Sequence, residues 1–226
     1  MPQGVLPYKY ELEKSKSGMT ALAGLPIYLD LASVLNLGES IQTHLHVKTQ
    51  GWTDEQIVLS LILLNLAGGD CVDDLRIFEA DDGFCKILQR IELKGFYRKE
   101  RRETEKRWRK EKHRYVPSPS VVFRYLSAFH SDYIREDGKA IIPPITELLS
   151  GLERVNCDLI AAINKQNLID CATLDMDATL IQTEKLYALF SYKGYKAYQP
   201  LNTYWAEHGL ILHTEFRVES HGIYPF

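Results

Sequence analysis

The sequence predicts an α+β protein, a mainly helical N-terminal region followed by antiparallel strands. Three observations predict it. Up to residue 167, apolar residues recur at helical spacing between capping and stop signals. From residue 168 the texture changes to short alternating runs, beginning with "TLDMDATLI" at Thr173–Ile181. Two later runs are joined through Glu207-His208-Gly209, a turn that favours a hairpin. With 226 residues, 45% of them apolar and 25% charged, the chain is large enough to bury a proper core.

Residues 1–19 read as a polar lead-in without period. Between Thr20 and Gln50, Leu22, Leu25, Leu29, Leu31, Val34 and Leu35 suit one or two short helices. Gly24-Leu25-Pro26 would open them and Gly38 would close them. The clearest helix lies in "GWTDEQIVLSLILLNLAGG". Thr53 and Gln56 have capping-box spacing, Asp54 and Glu55 suit the positive end of the dipole, and Gly68-Gly69 stops it. Apolar residues surround it, which predicts the buried centre of a bundle. Asp70–Phe84 reads as a turn, a short helix and another turn, with Asp70 and Asp82 as caps.

Pro117 and Pro119 end any earlier helix, and Ser118 or Ser120 caps the next. That helix puts Val122, Tyr125, Leu126 and Phe129 on one face and Arg124 on another. A further helix is expected over Ile141–Asn164. The strands follow. In "TLDMDATLI", Leu174, Met176, Ala178 and Leu180 form the core face, opposite Thr173, Asp175, Asp177 and Thr179. Tyr198–Trp205 and Leu210–Val218 make the hairpin, with Leu210, Leu212, Phe216 and Val218 toward the core.

The net charge of −3 conceals an asymmetry. Residues 94–114 hold 11 Lys and Arg against 4 Glu, so an excess of seven positive charges sits on a body carrying ten net negative ones. Such a segment suits a polyanionic partner. The carriers are Lys94, Arg98, Lys99, Arg101, Arg102, Lys106, Arg107, Arg109, Lys110, Lys112 and Arg114, interleaved with Tyr97, Trp108 and Tyr115. The plainer reading is a solvated helix with internal Glu–Lys and Glu–Arg pairs. Arg124, on the helix after Pro119, would join them if that helix and the one before the basic run formed a helix-turn-helix-like unit. Cys71, Cys85, Cys157 and Cys171 form no CxxC pair and read as reduced, buried thiols. No signal peptide or membrane span is recognisable, which predicts a cytoplasmic protein without a membrane partner.

Asp175 and Asp177 carry the chemistry. On a strand, side chains at i and i+2 leave the same face roughly 6–7 Å apart. Two carboxylates held there repel unless a cation neutralises them, and Mg²⁺ favours one or two carboxylates with waters and phosphates. The alternative is one aspartate capping the adjoining loop and the other solvated. His44-x-His46 has no third ligand nearby and reads as a polar loop pair. The tyrosines of "LYALFSYKGYKAYQPLNTYW" could stack on single strands or pack on the sheet.

The ordered segments "GGDCVDDLRIFEADDGF", "PSPSVVFRYLSAF", "TLDMDATLI" and "YKGYKAYQPLNTYWAEHGLILHTEFR" span residues 20–217 and resemble the DDE transposases of bacterial insertion sequences. The resemblance implies an RNase H-like catalytic core and two-metal phosphoryl transfer on element-end DNA, using Mg²⁺ or Mn²⁺. It also implies a bacterial, DNA-bound location and self-association or pairing with an intact transposase. In that family the first catalytic acid lies in an Asp-x-Thr setting. Asp177-Ala178-Thr179 matches it, with Asp175 as the substitute. The later acids Glu184, Glu207, Glu215 and Glu219 match neither the family's second Asp nor its Glu. The expectation is therefore a truncated, catalytically incomplete form: a DNA-binding region at 20–167 and the start of an incomplete RNase H-like core at 168–226. The alternatives are a non-catalytic DNA-binding module and an inert remnant of a transposase.

Overall fold

The computed structural model of the chain describes residues 18–93, 97–102, 114–130, 145–185 and 188–215. The chain is α+β, with helices preceding small antiparallel sheets. The first helices are α1 (Leu25–Val34), α2 (Leu37–His44) and α3 (Asp54–Leu66). A 3₁₀ turn (Val72–Leu75) leads into α4 (Arg76–Ala80) and α5 (Asp82–Glu92). Further on lie α6 (Pro119–Ser127) and α7 (Glu147–Gln166). The strands are β1 (Leu174–Ala178), β2 (Ile181–Gln182) and β3 (Leu189–Phe190). They are followed by β4 (Lys196–Tyr198), β5 (Leu201–Trp205) and β6 (Leu210–Glu215). No helix among the described residues is long and apolar enough to cross a membrane.

The described residues fall into two compact units. One draws on residues 18–28, 57–93, 97–102 and 114–119, the other on residues 29–56, 120–130, 145–185 and 188–215. In the first, Ile57, Leu63, Leu64, Leu75, Phe78, Phe84 and Val116 are buried, and the Phe78 and Phe84 rings lie 5.3 Å apart. Each phenylalanine contributes roughly 1.5–3 kcal/mol by leaving water. The helix cap here is Asp81 in place of the expected Asp82. Its carboxylate accepts from the Phe84 amide at 2.8 Å, and also from the Thr20 hydroxyl and the Ala21 amide. Asp70 is not a cap either; the Asp74 carboxylate reaches back to the amides of Asp70 and Cys71.

The α3 capping box forms as expected, Thr53 and Gln56 exchanging bonds of 3.0 and 3.2 Å. The helix is not buried all round, because Ile62 and Leu66 on its far side stay exposed. Gly38 does not close α1. The chain turns at Leu35-Asn36, where Asn36 takes the left-handed conformation at φ 52°, and Gly38 lies inside α2. Of the cysteines only Cys85 is buried, its thiol donating to the Phe78 carbonyl; Cys71, Cys157 and Cys171 are exposed.

In the second unit α2 and α7 pack closely. Gly151 permits it, since a Cβ there would collide with the His44 carbonyl. The α7 start is set by Thr146, whose hydroxyl accepts from the Leu149 amide, so the helix begins later than Ile141. On α6, Val122 and Tyr125 are buried while Leu126 and Phe123 remain exposed.

One sheet has the order β1-β5-β6 and the other β2-β4-β3, all pairs antiparallel. Two expected strands are therefore divided. "TLDMDATLI" splits at Thr179-Leu180 into β1 and β2, which join different sheets. Tyr198–Trp205 splits at buried Pro200, which has no N–H to continue a ladder. The β5–β6 hairpin turns at Gly209, φ 68°, as its sequence predicts. Helix α7 is tied to this sheet by Asn156 with the Ile211 and Leu212 carbonyls, Glu153 with His213, and Asn164 with His208.

Candidate functional site

Strand β1 presents both aspartates. Asp175 pairs across to Tyr204 and Asp177 to Asn202, so the two carboxylates leave one face of the sheet and both are exposed. Next on that face, Thr214 of β6 donates its hydroxyl to the Asn202 side-chain oxygen at 2.8 Å. Asp177, Asn202 and Thr214 thus form a polar rung across three strands. The opposite face of β1 was expected to be core. Instead Leu174 is 53% and Met176 60% exposed, because the α7 contacts gather on β6 at the far side of the sheet. Among the described residues the outer edge of β1 carries no partner strand.

Among the described residues the later acids do not converge on this face, and Glu219 lies outside the described residues. Glu207 binds the Thr173 amide through both carboxylate oxygens, at 3.1 and 2.9 Å, clamping the hairpin turn to the entry of β1. Those contacts with Thr173 hold its carboxyl below the usual range. Glu215 pairs in register with Leu201, at the other end of β5, and Glu184 is exposed beyond β2. Among the described residues, no group of three or more His, Cys, Asp or Glu side chains is placed to hold a metal. Two carboxylates suit a share of one Mg²⁺ shell, yet fall short of a two-ion site.

The basic carriers divide. Arg98, Lys99, Arg101 and Arg102 are exposed on a helical stretch at 98–102, whose first turn is capped by Glu100 accepting from the Tyr97 amide. Arg114 lies 3.7 Å from Glu79, and Glu79 also accepts from the Tyr115 and Val116 amides. The returning end of the basic segment is thus fixed to α4. Lys94, Lys106, Arg107, Arg109, Lys110 and Lys112 lie outside the described residues. Arg124 is exposed, its guanidinium donating to the Ser120 carbonyl. Helices α5 and α6 fall mainly in different units, and the suggested helix-turn-helix pairing of the two is not described.

No family model, curated protein or solved structure matches this chain. The site therefore stands on its own geometry.

One polar cluster was not foreseen. Asp158 on α7 accepts from the Ser40 hydroxyl at 2.6 Å and meets His44 Nε2 at 3.0 Å, beside a shallow cleft of about 310 Å³. His44 is thus a helix-end partner of Asp158, and not the solvent-facing loop residue expected. The order of contacts excludes a nucleophilic triad: the carboxylate sits between serine and imidazole, so the imidazole cannot take the hydroxyl proton. The cluster fastens α2 to α7. Its partners lie 114 and 118 residues apart in sequence, and no local signal could have paired them.

Proposed function

We propose that this chain acts in DNA transposition as a DDE-type transposase component, contributing an exposed basic region for element-end DNA and the first acid of the catalytic set. One observation carries the reading. Asp177, in its Asp-x-Thr setting, projects with Asp175 from the first strand of an antiparallel three-stranded sheet. That antiparallel three-stranded sheet supports the reading of the opening strands of an RNase H-like core. When bound, Mg²⁺ or Mn²⁺ would polarise a phosphodiester and its attacking oxygen. The protein's own part is to hold the two carboxylates on one face and to gather phosphates on Arg98, Lys99, Arg101 and Arg102.

A second reading, a DNA-binding module without catalysis, is favoured by the lack of a third ligand beside the two aspartates among the described residues. Two measurements separate the readings. A labelled duplex titrated at low and high salt reports phosphate binding, and Mn²⁺ broadening of backbone amide signals reports cation binding at β1. Broadening centred on Asp175 and Asp177 that vanishes in Asp177→Ala supports the transposase reading. Duplex binding without it supports the module. Binding of neither duplex nor Mn²⁺ overturns both.

A further inference from the structure

The smaller sheet is lopsided. Its rungs pair Gln182 with Ala197 and Ala197 with Leu189 on one face, where Ala197 is buried and Leu189 half-buried. The other face carries Ile181 opposite Tyr198 and Lys196 opposite Phe190. It lies open, with Ile181 50% and Phe190 63% exposed. At the β3–β4 turn, Tyr192 is 61% exposed and the Lys193 ammonium stands 5.8 Å from its ring centre. The turn itself is held: the Ser191 amide donates to the Tyr195 carbonyl at 2.8 Å and the Gly194 amide to the Ser191 carbonyl.

Large aromatic rings are costly to leave in water, and here they alternate with ammonium groups on a braced surface. From Ile181 to Tyr198 the chain carries three lysines and one glutamate, a positive patch on a chain of net charge −3. Rings offer faces on which bases of any sequence stack, while ammonium groups between them meet the phosphates. A paired duplex keeps its base faces covered, so such a surface favours unpaired nucleotides.

We infer that the open face of the β2-β4-β3 sheet, with the β3–β4 turn, binds single-stranded DNA by stacking bases on Phe190 and Tyr192 and pairing phosphates with Lys193 and Lys196. This rests on the DNA reading above and narrows it to nucleotides released from pairing, such as the frayed or cleaved ends that strand transfer requires.

The test uses the whole chain with a fluorescein-labelled oligothymidylate and, separately, a labelled duplex. The expected result is that Phe190→Ala and Tyr192→Ala each weaken oligothymidylate binding by at least about fivefold, with duplex binding unchanged. Phe190→Trp, which keeps a stacking face, retains the affinity. Lys193→Ala with Lys196→Ala flattens the salt dependence. Both aromatic side chains are exposed, so unchanged melting temperatures serve as the control. Oligothymidylate binding equal to wild type in both alanine variants overturns this inference and leaves the duplex reading standing. Binding of neither probe by the wild type removes the inference and the DNA reading together. Self-association abolished by Phe190→Ala, with no binding of oligothymidylate, also overturns it and assigns the face to a second copy of the chain.

Discussion

Asn156 on α7 donates its side-chain amide to the carbonyl oxygen of Leu212, the extra residue of a bulge in β6, at 2.9 Å. A second contact reaches the Ile211 carbonyl at 3.3 Å. The bulge breaks the ladder between Thr203 and Tyr204, and an α7 side chain compensates for it. Asn156→Ala is expected to cost about 1–2 kcal/mol, read as a lower denaturant midpoint with an unchanged slope. Asn156→Asp would cost more, since a carboxylate would face two carbonyl oxygens. An alanine variant as stable as wild type would show that water replaces the amide.

Asp81 holds the α5 start to the chain around Thr20. Burial pushes its carboxyl upward, but the Phe84 amide, the Thr20 hydroxyl and the Ala21 and Gly83 amides outweigh that and leave it below the ordinary value. Asp81→Ala is expected to destabilise by about 1–2 kcal/mol, whereas Asp81→Asn, which keeps an acceptor, should lose less. Urea unfolding of the two variants measures the difference.

Acid should loosen the α2–α7 clamp. The Ser40 hydroxyl holds the Asp158 carboxyl below its usual value against opposing burial, and His44 adds to the effect. A carboxyl lowered in the folded state stabilises fully above its unfolded pKa of about 3.9 and loses that contribution as pH falls through the lower folded value. The wild type should therefore lose more stability than Asp158→Asn between neutral pH and the region below about pH 4. Asp74, Asp81 and Glu207 are shifted the same way, so the variant should flatten only part of the acid limb.

The exposed cations at 98–102 give a salt prediction. Replacing Arg98, Lys99, Arg101 and Arg102 by glutamine should weaken duplex binding uniformly across sequences. The slope of log affinity against log salt should drop by up to about 3.6, near 0.9 for each phosphate that is no longer neutralised. An unchanged slope would place the phosphate-binding cations elsewhere.

Elements carried by neighbouring residues were legible in the sequence. The α3 cap needs only Thr53 and Gln56, three residues apart, and the β5–β6 turn needs only Gly209. The face shared by Asp175 and Asp177 follows from strand period alone. What the sequence hid depends on distant partners. Glu79 looked like one acid among many until the returning basic segment met it 36 and 37 residues later. Pro200 divides a run that otherwise alternates like one strand, and the burial expected for Leu174 and Met176 required a covering layer that no local pattern reports.

The rim of β1, bare among the described residues, bears on how copies of the chain meet. Were two copies to zip together there, head to tail about Met176, Asp175 of each would lie against Asp177 of the other. Four negative charges would crowd one seam, and the chain thereby discourages fibril-like stacking at neutral pH.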